Sequence, residues 1–297
     1  MRTPLRAGIA ILVALCGVSP GAAARESGAP CRGSTVAVVA HQDDDLLFLN
    51  PDLMDDFKHG RCLRVVYVTA GDAGKPMEYT LSRERGMRAA YAALADAAPR
   101  WRRADTWADG RRFLGYELAV PHRPRVHLTF LRLPDGHSHG TGDRARHWQS
   151  LRKLAEGEIP RMVSVDGVNS LTSEELTHTL GTLIAESGAD TVRTLDPGSV
   201  MARFHATGRD HSDHTEVGRY VTSAVSALRA GEIERLVHYL GYPSASLLAN
   251  LNVGVTASKQ RLFDAYLSGK RCRVPCPATP QHFPRFYLPW LARQYHD

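Results

Sequence analysis

Short runs of β-branched and small apolar residues along the chain predict the strands of a buried sheet. Such runs occupy residues 36–40, 63–68 and 189–195, and each has the length of a strand covered on both faces. Residues 125–133 alternate polar and apolar side chains, which is the pattern of a half-buried strand. These four segments are predicted to lie in one sheet.

Apolar residues recur at helical spacing between and after these strands. The segments with this periodicity are residues 82–94, 151–158, 172–184, 216–230 and 258–267. Thr172 and Glu175 have the spacing of a capping box at the start of one of them. Alternating strands and helices predict an α/β fold, a Rossmann-like and mostly parallel sheet with helices on both faces in a single domain.

The beginning of the chain has the pattern of an export signal. Arg2 and Arg6 precede an apolar run over residues 7–18, and Ala22 to Ala24 supply the small residues of a cleavage site. We therefore predict that residues 1–24 are a signal peptide, cleaved near Ala24, and that the mature protein is secreted. The apolar run is shorter than the roughly 20 residues of a spanning helix, so stable membrane insertion is not expected.

The rest of the 297 residues can bury one large core, since 43% of the chain is hydrophobic. We predict one domain over residues 25–297, whose last part, from about residue 272 to 297, wraps around the main body. The formal net charge of +6 is modest, and the basic residues are scattered without interleaved aromatic residues. This pattern excludes a nucleic-acid footprint, and no pattern indicates an oligomeric state.

Four of the five cysteines remain once Cys16 leaves with the signal peptide. An even number in an exported protein favours disulfides over free thiols. Cys31 and Cys62 each precede a predicted strand, and if these strands are parallel neighbours both cysteines lie at the same sheet edge. We predict the pairs Cys31–Cys62 and Cys272–Cys276. The alternative for Cys272 and Cys276 is a structural zinc site, but the sequence has no second close pair of cysteines to complete it.

Two separated segments carry the residues of a candidate metal site. The first predicted strand ends in His41-Gln42-Asp43-Asp44-Asp45, and the segment His211-Ser212-Asp213-His214 precedes a predicted helix. In open α/β sheets, ligands bind at the carboxyl ends of the strands, where both segments are expected. His41, Asp44 and His214 would supply the three protein ligands of a catalytic zinc site, so we predict Zn²⁺ as the cofactor.

The remaining polar residues of these segments suggest acid and base groups. Asp43 is adjacent to a predicted ligand and is the candidate general base for the attacking water. His211 is the candidate group that stabilises an oxyanion and protonates the leaving amine, and Asp213 is predicted to orient its imidazole. Asp45 is expected at a helix N-terminus, where its charge meets the helix dipole.

A structural role is the alternative for either segment alone. Acidic residues often cap helices, histidines beside aspartates often form ordinary hydrogen bonds, and short motifs produce many false matches. His137 and His139, in a Gly-rich loop, are weaker candidates for metal ligands because no carboxylate has a fixed position beside them. We expect that loop to lie at the rim of the site.

Together the two segments resemble the two signatures of the PIG-L (LmbE-like) family of zinc-dependent N-acetylglucosamine deacetylases. The resemblance runs from about Thr35 to Tyr220 and includes the loop from Thr69 to Gly74 and the Leu131-Arg-Leu-Pro-Asp-Gly136 turn. It differs from the usual His-Pro-Asp-Asp-Glu motif at Gln42 and Asp45, and Ser212 stands where proline is common. The resemblance implies zinc on His41, Asp44 and His214, with Asp43 as base and His211 as electrophile.

The family resemblance also implies an activity and a class of substrate. We expect a secreted hydrolase that removes the N-acetyl group from an N-acetylglucosamine-type amino sugar of a glycoconjugate. Some similar enzymes act on N-acetylglucosaminyl intermediates of glycopeptide antibiotics, so such an intermediate is one expected substrate. The alternative is a secreted carbohydrate-binding or cell-wall-associated protein that keeps the fold without catalysis, and stoichiometric metal distinguishes the two.

Overall fold

A computed structural model describes residues 30–98, 100–271 and 285–297 of the chain. The predicted signal peptide and the predicted Cys272–Cys276 disulfide lie outside these residues. The predicted wrap over 272–297 is therefore described only in its second half.

An eight-stranded sheet forms the centre of the molecule. The strands of the described residues are β1 (Ser34–Val39), β2 (Cys62–Thr69), β3 (Arg102–Arg103), β4 (Thr106–Ala108), β5 (Arg111–Leu118), β6 (Val126–Leu133), β7 (Met162–Val163), β8 (Ser170–Leu171), β9 (Thr191–Leu195) and β10 (Arg235–Tyr239). The central sheet has the order β10-β9-β1-β2-β6-β5-β3, with β4 paired to β5. The short strands β7 and β8 form a separate pair.

The sheet is parallel from β10 through β6 and antiparallel beyond it. β1 lies between β9 and β2, and its residues from Thr35 to Val39 are all buried. Residues on both faces of a strand are buried only when both faces of the sheet are covered. The predicted mostly parallel α/β fold is thus confirmed, and the unassigned residues 101–120 form its antiparallel edge.

Seven α-helices are found among the described residues. They are α1 (Asp52–Lys58), α2 (Met77–Leu94), α3 (Leu151–Ala155), α4 (Ser173–Ala185), α5 (Ser212–Ser226), α6 (Val253–Arg271) and α7 (Leu288–Leu291). The capping box is present at Thr172 and Glu175, as predicted. α5 begins four residues earlier than its periodicity predicts, because its first turn, Ser212 to Thr215, is polar and carries no apolar signal. α2 and α6 each begin five residues earlier than predicted.

The long helices α2 and α6 pack closely on each other. Their contact depends on Gly86, because a Cβ atom there would lie 2.7 Å from the carbonyl oxygen of Tyr266. No helix among the described residues has both the length and the apolar character that crossing a membrane requires.

The predicted disulfide between Cys31 and Cys62 is present, with its Cα atoms 5.3 Å apart. Ser34 pairs with Cys62 in the parallel register of β1 and β2, so the two cysteines meet at the same sheet edge. The bridge fixes the chain where it enters the central strand.

The C-terminal residues 285–297 pack against the element that follows β1. That element is a π-helical turn, Asp45–Leu49, which begins at the last residue of the acidic motif. The buried Lys259 of α6 donates hydrogen bonds from Nζ to the carbonyl oxygens of Leu47, Trp290 and Arg293, at 2.8, 3.2 and 2.8 Å. One ammonium group thereby joins α6, the π-helical turn and the C-terminal segment.

We expect Lys259→Met to destabilise the protein by about 2 kcal/mol, because buried carbonyl oxygens lose their donors. Urea unfolding followed by circular dichroism measures this change. Lys58→Met is the matched control: Lys58 is exposed and pairs only with the exposed Asp55, so its loss should change the free energy of unfolding by less than about 0.5 kcal/mol. Equal effects of the two substitutions would contradict the role given to Lys259.

Candidate active site

Three loops at the carboxyl ends of parallel strands bring the predicted site residues together. His41 follows β1, Asp135 follows β6, and His211 ends the connection from β9 to α5. β1 and β9 are neighbours, so the two segments carrying the predicted ligands meet although they are far apart in sequence. This is the edge at which α/β proteins bind ligands.

The three predicted metal ligands lie at nearly equal distances from one another. His41 Nδ1 is 3.2 Å from His214 Nε2 and 3.3 Å from Asp44 Oδ2, and His214 Nε2 is 3.2 Å from Asp44 Oδ1. Ligand atoms at the corners of a zinc tetrahedron, each roughly 2.05 Å from the metal, are separated by about 3.3 Å. The spacing therefore fits a small metal ion held by this set.

The outer nitrogens of both histidines are engaged by carboxylates. His214 Nδ1 lies 2.7 Å from Asp210 Oδ1, and His41 Nε2 lies 3.2 Å from Asp213 Oδ2. A ring that donates its outer N–H leaves a lone pair on its inner nitrogen. The two inner lone pairs and the Asp44 carboxylate then face one another as acceptors, and the buried Asp44 Oδ1 has no hydrogen-bond donor among the described residues. A cation satisfies all three.

The electrostatics of this cluster also favour positive charge. Burial lowers the pKa of His214, but Asp44 and Asp210 outweigh that effect and raise it to about 10. Burial raises the pKa of Asp44, but His214 and His41 outweigh it and hold that pKa well below its usual range. The carboxylates thus create a negative potential at the point where the three ligand atoms meet.

Asp43 has the geometry of a base beside the metal ligands. Its backbone has φ of 124°, a strained conformation for a side chain other than glycine. Its Oδ1 accepts a hydrogen bond of 2.7 Å from Arg83 Nη2, and the residue keeps a small exposed fraction of 8%. Burial raises the pKa of Asp43, and the positive charge of Arg83 opposes that shift.

His211 is the N-cap residue of α5. Its Nδ1 accepts the backbone N–H of Asp213 at 3.2 Å, so the proton of the neutral ring lies on Nε2. That atom is 3.8 Å from Asp135 Oδ1. Burial lowers the pKa of His211, and the neighbouring His41 and His214 lower it further. A neutral ring with Nε2–H can still donate a hydrogen bond to an oxyanion.

Asp213 occupies a different position from the one predicted. We expected it to orient His211, but its Oδ2 lies 3.8 Å from His211 Nδ1 and only 3.2 Å from His41 Nε2. The same oxygen accepts the backbone N–H of Gly136 at 2.9 Å. A Cβ atom at Gly136 would lie 2.6 Å from Asp213 Oδ1, so glycine is needed there. The His211 ring is positioned instead by its own cap bond to the backbone N–H of Asp213.

Comparison with protein families identifies the family to which the chain belongs. The family model described as GlcNAc-PI de-N-acetylase, PIG-L, matches residues 36–225, which is more than half of the chain. The chain belongs to the PIG-L family. It is therefore an enzyme of the deacetylase class, whose members use a divalent metal, and the alternative of a non-catalytic binding protein is set aside.

The solved structures that match the chain are only distantly similar to it. The conserved protein TT1542 of Thermus thermophilus is 18% identical, with 80% of this chain and 79% of that chain covered and a TM-score of 0.43. The N,N'-diacetylchitobiose deacetylase of Pyrococcus horikoshii is 10% identical (82% and 72% covered, TM-score 0.42). The A40926 pseudoaglycone deacetylase Dbv21 is 15% identical, with 81% of this chain and 83% of that chain covered and a TM-score of 0.40. No curated protein sequence matches the chain.

Two positions at which the motif departs from the usual PIG-L sequence have defined contacts. Gln42 is buried and donates from Nε2 to the carbonyl oxygen of Thr69 at 3.1 Å, which ties the loop after β1 to the end of β2. Asp45 begins the π-helical turn, but its carboxylate accepts hydrogen bonds from Tyr67 at 2.9 Å and Tyr91 at 2.5 Å. Burial raises the pKa of Asp45 to about 7. The expected dipole role of Asp45 is thus replaced by a contact with two phenols.

Several site residues were not assigned from the sequence. Asp210 Oδ1 binds His214 Nδ1 and also accepts the backbone N–H groups of His211 and Tyr242, at 2.8 and 3.1 Å. The ring of Tyr242 lies 5.0 Å from that of His214. Asp210 stands four residues before His214, a spacing that could have indicated the contact. Tyr242 had no signal, because β10, which brings it to the site, was not predicted.

The histidines of the Gly-rich loop do not join the metal ligands. His137 Nε2 lies 3.0 Å from Asp143 Oδ2, and His139 is exposed. Within the described part of the chain, neither belongs to a group of side chains that could hold a metal. Their loop packs on the start of α5, since a Cβ atom at Gly140 would lie 2.5 Å from Ser212 Oγ.

Backbone strain at Asp43 predicts that two substitutions of this residue differ in stability. Asp43→Gly and Asp43→Ala both remove the carboxylate and its contact with Arg83, but only glycine relieves the positive φ. We expect Asp43→Gly to be more stable than Asp43→Ala by about 1 kcal/mol, net of the entropy that glycine loses on folding. Urea unfolding of the two variants measures the difference, and an alanine variant of equal or greater stability would contradict strain at this position.

Proposed function

We propose that this chain is an exported, zinc-dependent hydrolase that removes the N-acetyl group from an N-acetylglucosamine-type amino sugar of a glycoconjugate. The observation that carries the proposal is the set of three ligand atoms, on His41, Asp44 and His214, that face one another as acceptors. Asp43 and His211 flank this set and supply a base and a hydrogen-bond donor.

His41, Asp44 and His214 would hold the zinc ion. When bound, zinc acts as a Lewis acid and lowers the pKa of water to about 7. Two neutral imidazoles and one carboxylate are an established ligand set for catalytic zinc, and two of the three are fixed by outer carboxylates. Asp210 holds His214, and Asp213 holds His41.

Asp43 takes the proton of the attacking water in this proposal. Arg83 holds one carboxylate oxygen, so the other remains available for the proton. The same hydrogen bond with Arg83 restrains the rotation of the Asp43 side chain. Asp43 can return the same proton to the departing amine, which balances the hydrolysis of the amide.

His211 stabilises the negative charge that develops on the carbonyl oxygen of the acyl group. Its cap bond places the ring proton on Nε2, the atom that faces Asp135. A donor fixed before reaction begins stabilises an oxyanion at little cost in reorganisation. The Asp135 carboxylate lies 3.8 Å from this atom, beyond hydrogen-bond distance, and its Oδ1 accepts the backbone N–H of His137 at 2.8 Å.

The proposed substrate class and the proposed secretion of the protein are supported by different observations. The PIG-L family is described by the de-N-acetylation of an N-acetylglucosamine conjugate, which supports an amino sugar as substrate. The export pattern of residues 1–24 and the Cys31–Cys62 disulfide support secretion, because such bridges persist in oxidising compartments. An N-acetylglucosaminyl intermediate of a glycopeptide antibiotic is the conjugate that we propose to test first.

Release of acetate from N-acetylated sugars tests the activity. The zinc-loaded chain is incubated with N-acetylglucosamine, its disaccharide and an N-acetylglucosaminyl glycopeptide, and loss of one acetyl group is followed by mass spectrometry. Deacetylation of at least one of them is expected. A chain that binds zinc stoichiometrically and deacetylates none of them would contradict the proposed reaction.

Two substitutions separate the base from the metal ligands. We expect Asp43→Asn to keep zinc but to lower kcat about 1,000-fold, because the amide cannot accept the proton. His214→Ala should lose both zinc and turnover, because it removes a ligand. Metal content by atomic emission and acetate release measure the two effects, and a fully active Asp43→Asn protein would exclude Asp43 as the base.

A further inference from the structure

Two lysines converge on one tyrosine beside the candidate active site. Tyr79 lies in the first turn of α2 and is half-buried. Lys75 Nζ is 4.1 Å from the centre of its ring, and Lys270 Nζ is 4.6 Å from the same point. Lys270 also donates a hydrogen bond of 3.1 Å to the Tyr79 hydroxyl. We call these three side chains the cationic rim.

No carboxylate among the described residues neutralises the positive charge of the cationic rim. Among the lysines of this part of the chain, Lys58 is ion-paired with Asp55, whereas neither Lys75 nor Lys270 is ion-paired. The neighbouring Glu78 is exposed and forms no ion pair with any described residue. The sequence of residues 272–284, which follow α6, contains no Asp or Glu.

Two ammonium groups around one ring repel each other. The end of α6 accounts for a cation at Lys270, because the helix dipole is negative there. It does not account for Lys75, which precedes the N-terminus of α2, where the dipole disfavours a cation. The Tyr79 ring attracts each ammonium group, and a ligand that carries negative charge would offset the repulsion between the two lysines.

The cationic rim is connected to the candidate base. Arg83 lies four residues after Tyr79, on the same face of α2, and donates to Asp43 at 2.7 Å. Arg83 forms an ion pair with Asp43, whereas neither lysine of the cationic rim has a carboxylate partner among the described residues.

We propose that Lys75, Tyr79 and Lys270 form a subsite for an anionic substituent, a carboxylate or a phosphate, carried by the amino-sugar substrate. The two ammonium groups supply charge-assisted hydrogen bonds. The Tyr79 hydroxyl accepts from Lys270, so its own proton is available to the anion. This inference rests on the proposed function and narrows the substrate to acidic amino-sugar conjugates.

Matched sugars test the subsite in the zinc-loaded full chain. The ratio of kcat/KM for N-acetylglucosamine 6-phosphate, or for N-acetylmuramic acid, to that for N-acetylglucosamine is measured at low and at high salt. We expect a ratio above one for at least one acid, decreasing as salt screens the charges. The phosphate and the carboxylate arms identify which anion is preferred.

Variants then assign the preference to particular side chains. Lys75→Gln and Lys270→Gln should each lower the ratio about tenfold, because each removes one charge-assisted bond. Tyr79→Phe keeps the ring on which both lysines pack and should lower the ratio severalfold, which remains informative if a lysine variant folds poorly. Lys58→Gln, a substitution of a distant surface lysine, should leave the ratio unchanged. A ratio that none of the three rim variants alters would overturn the subsite.

Binding measurements separate failure of the subsite from failure of the proposed function. Calorimetry compares N-acetylglucosamine 6-phosphate and N-acetylmuramic acid on the zinc-loaded wild type and on Lys75→Gln/Lys270→Gln. Weaker binding of the acids to the variant, with no acetate released by the wild type, would support the subsite and exclude the hydrolase. Equal binding of both acids to both proteins, with acetate released, would exclude the subsite and leave the hydrolase in place.

Discussion

The structure depends on three electron-pair donors that face one another at the carboxyl ends of β1 and β9. His41 Nδ1, His214 Nε2 and the Asp44 carboxylate oxygens lie 3.2 to 3.3 Å apart. Buried acceptors in this arrangement repel one another unless a cation lies between them. The need for a cation explains why Asp210 and Asp213 hold the outer nitrogens of the two histidines. It also explains why the loop at Gly136 approaches Asp213 so closely.

The surrounding scaffold fixes this cluster from several directions. Asp210 links His214 to the backbone after β10, so a part of the chain beyond the family match supports a ligand. Lys259 joins the π-helical turn behind Asp44 to the C-terminal segment. Strain at Asp43 is maintained because the neighbouring residues on both sides are buried in packed elements. The rigidity of the candidate site is thus distributed over segments far apart in sequence.

Much of the fold and the ligand set could be predicted from the sequence because strand patterns and metal chemistry are local. The run ending at His41 has the pattern of a buried strand, and histidine beside aspartate at a strand end favours zinc. The outer contacts could not be predicted, because they depend on long-range geometry. Asp213 points to His41 since α5 begins at residue 212, and Tyr242 reaches His214 only through a strand that lacks a clear pattern.

The coordination of zinc in the purified chain decides whether His41, Asp44 and His214 hold a metal. Metal titration combined with X-ray absorption spectroscopy should show one zinc ion per chain, with two imidazoles and light oxygen or nitrogen atoms at about 2.0–2.1 Å. Replacing His41 and His214 together by alanine should remove both imidazole contributions and the stoichiometric binding. A chain that keeps the same zinc spectrum after this double substitution, or one that binds no zinc at all, would contradict the central claim.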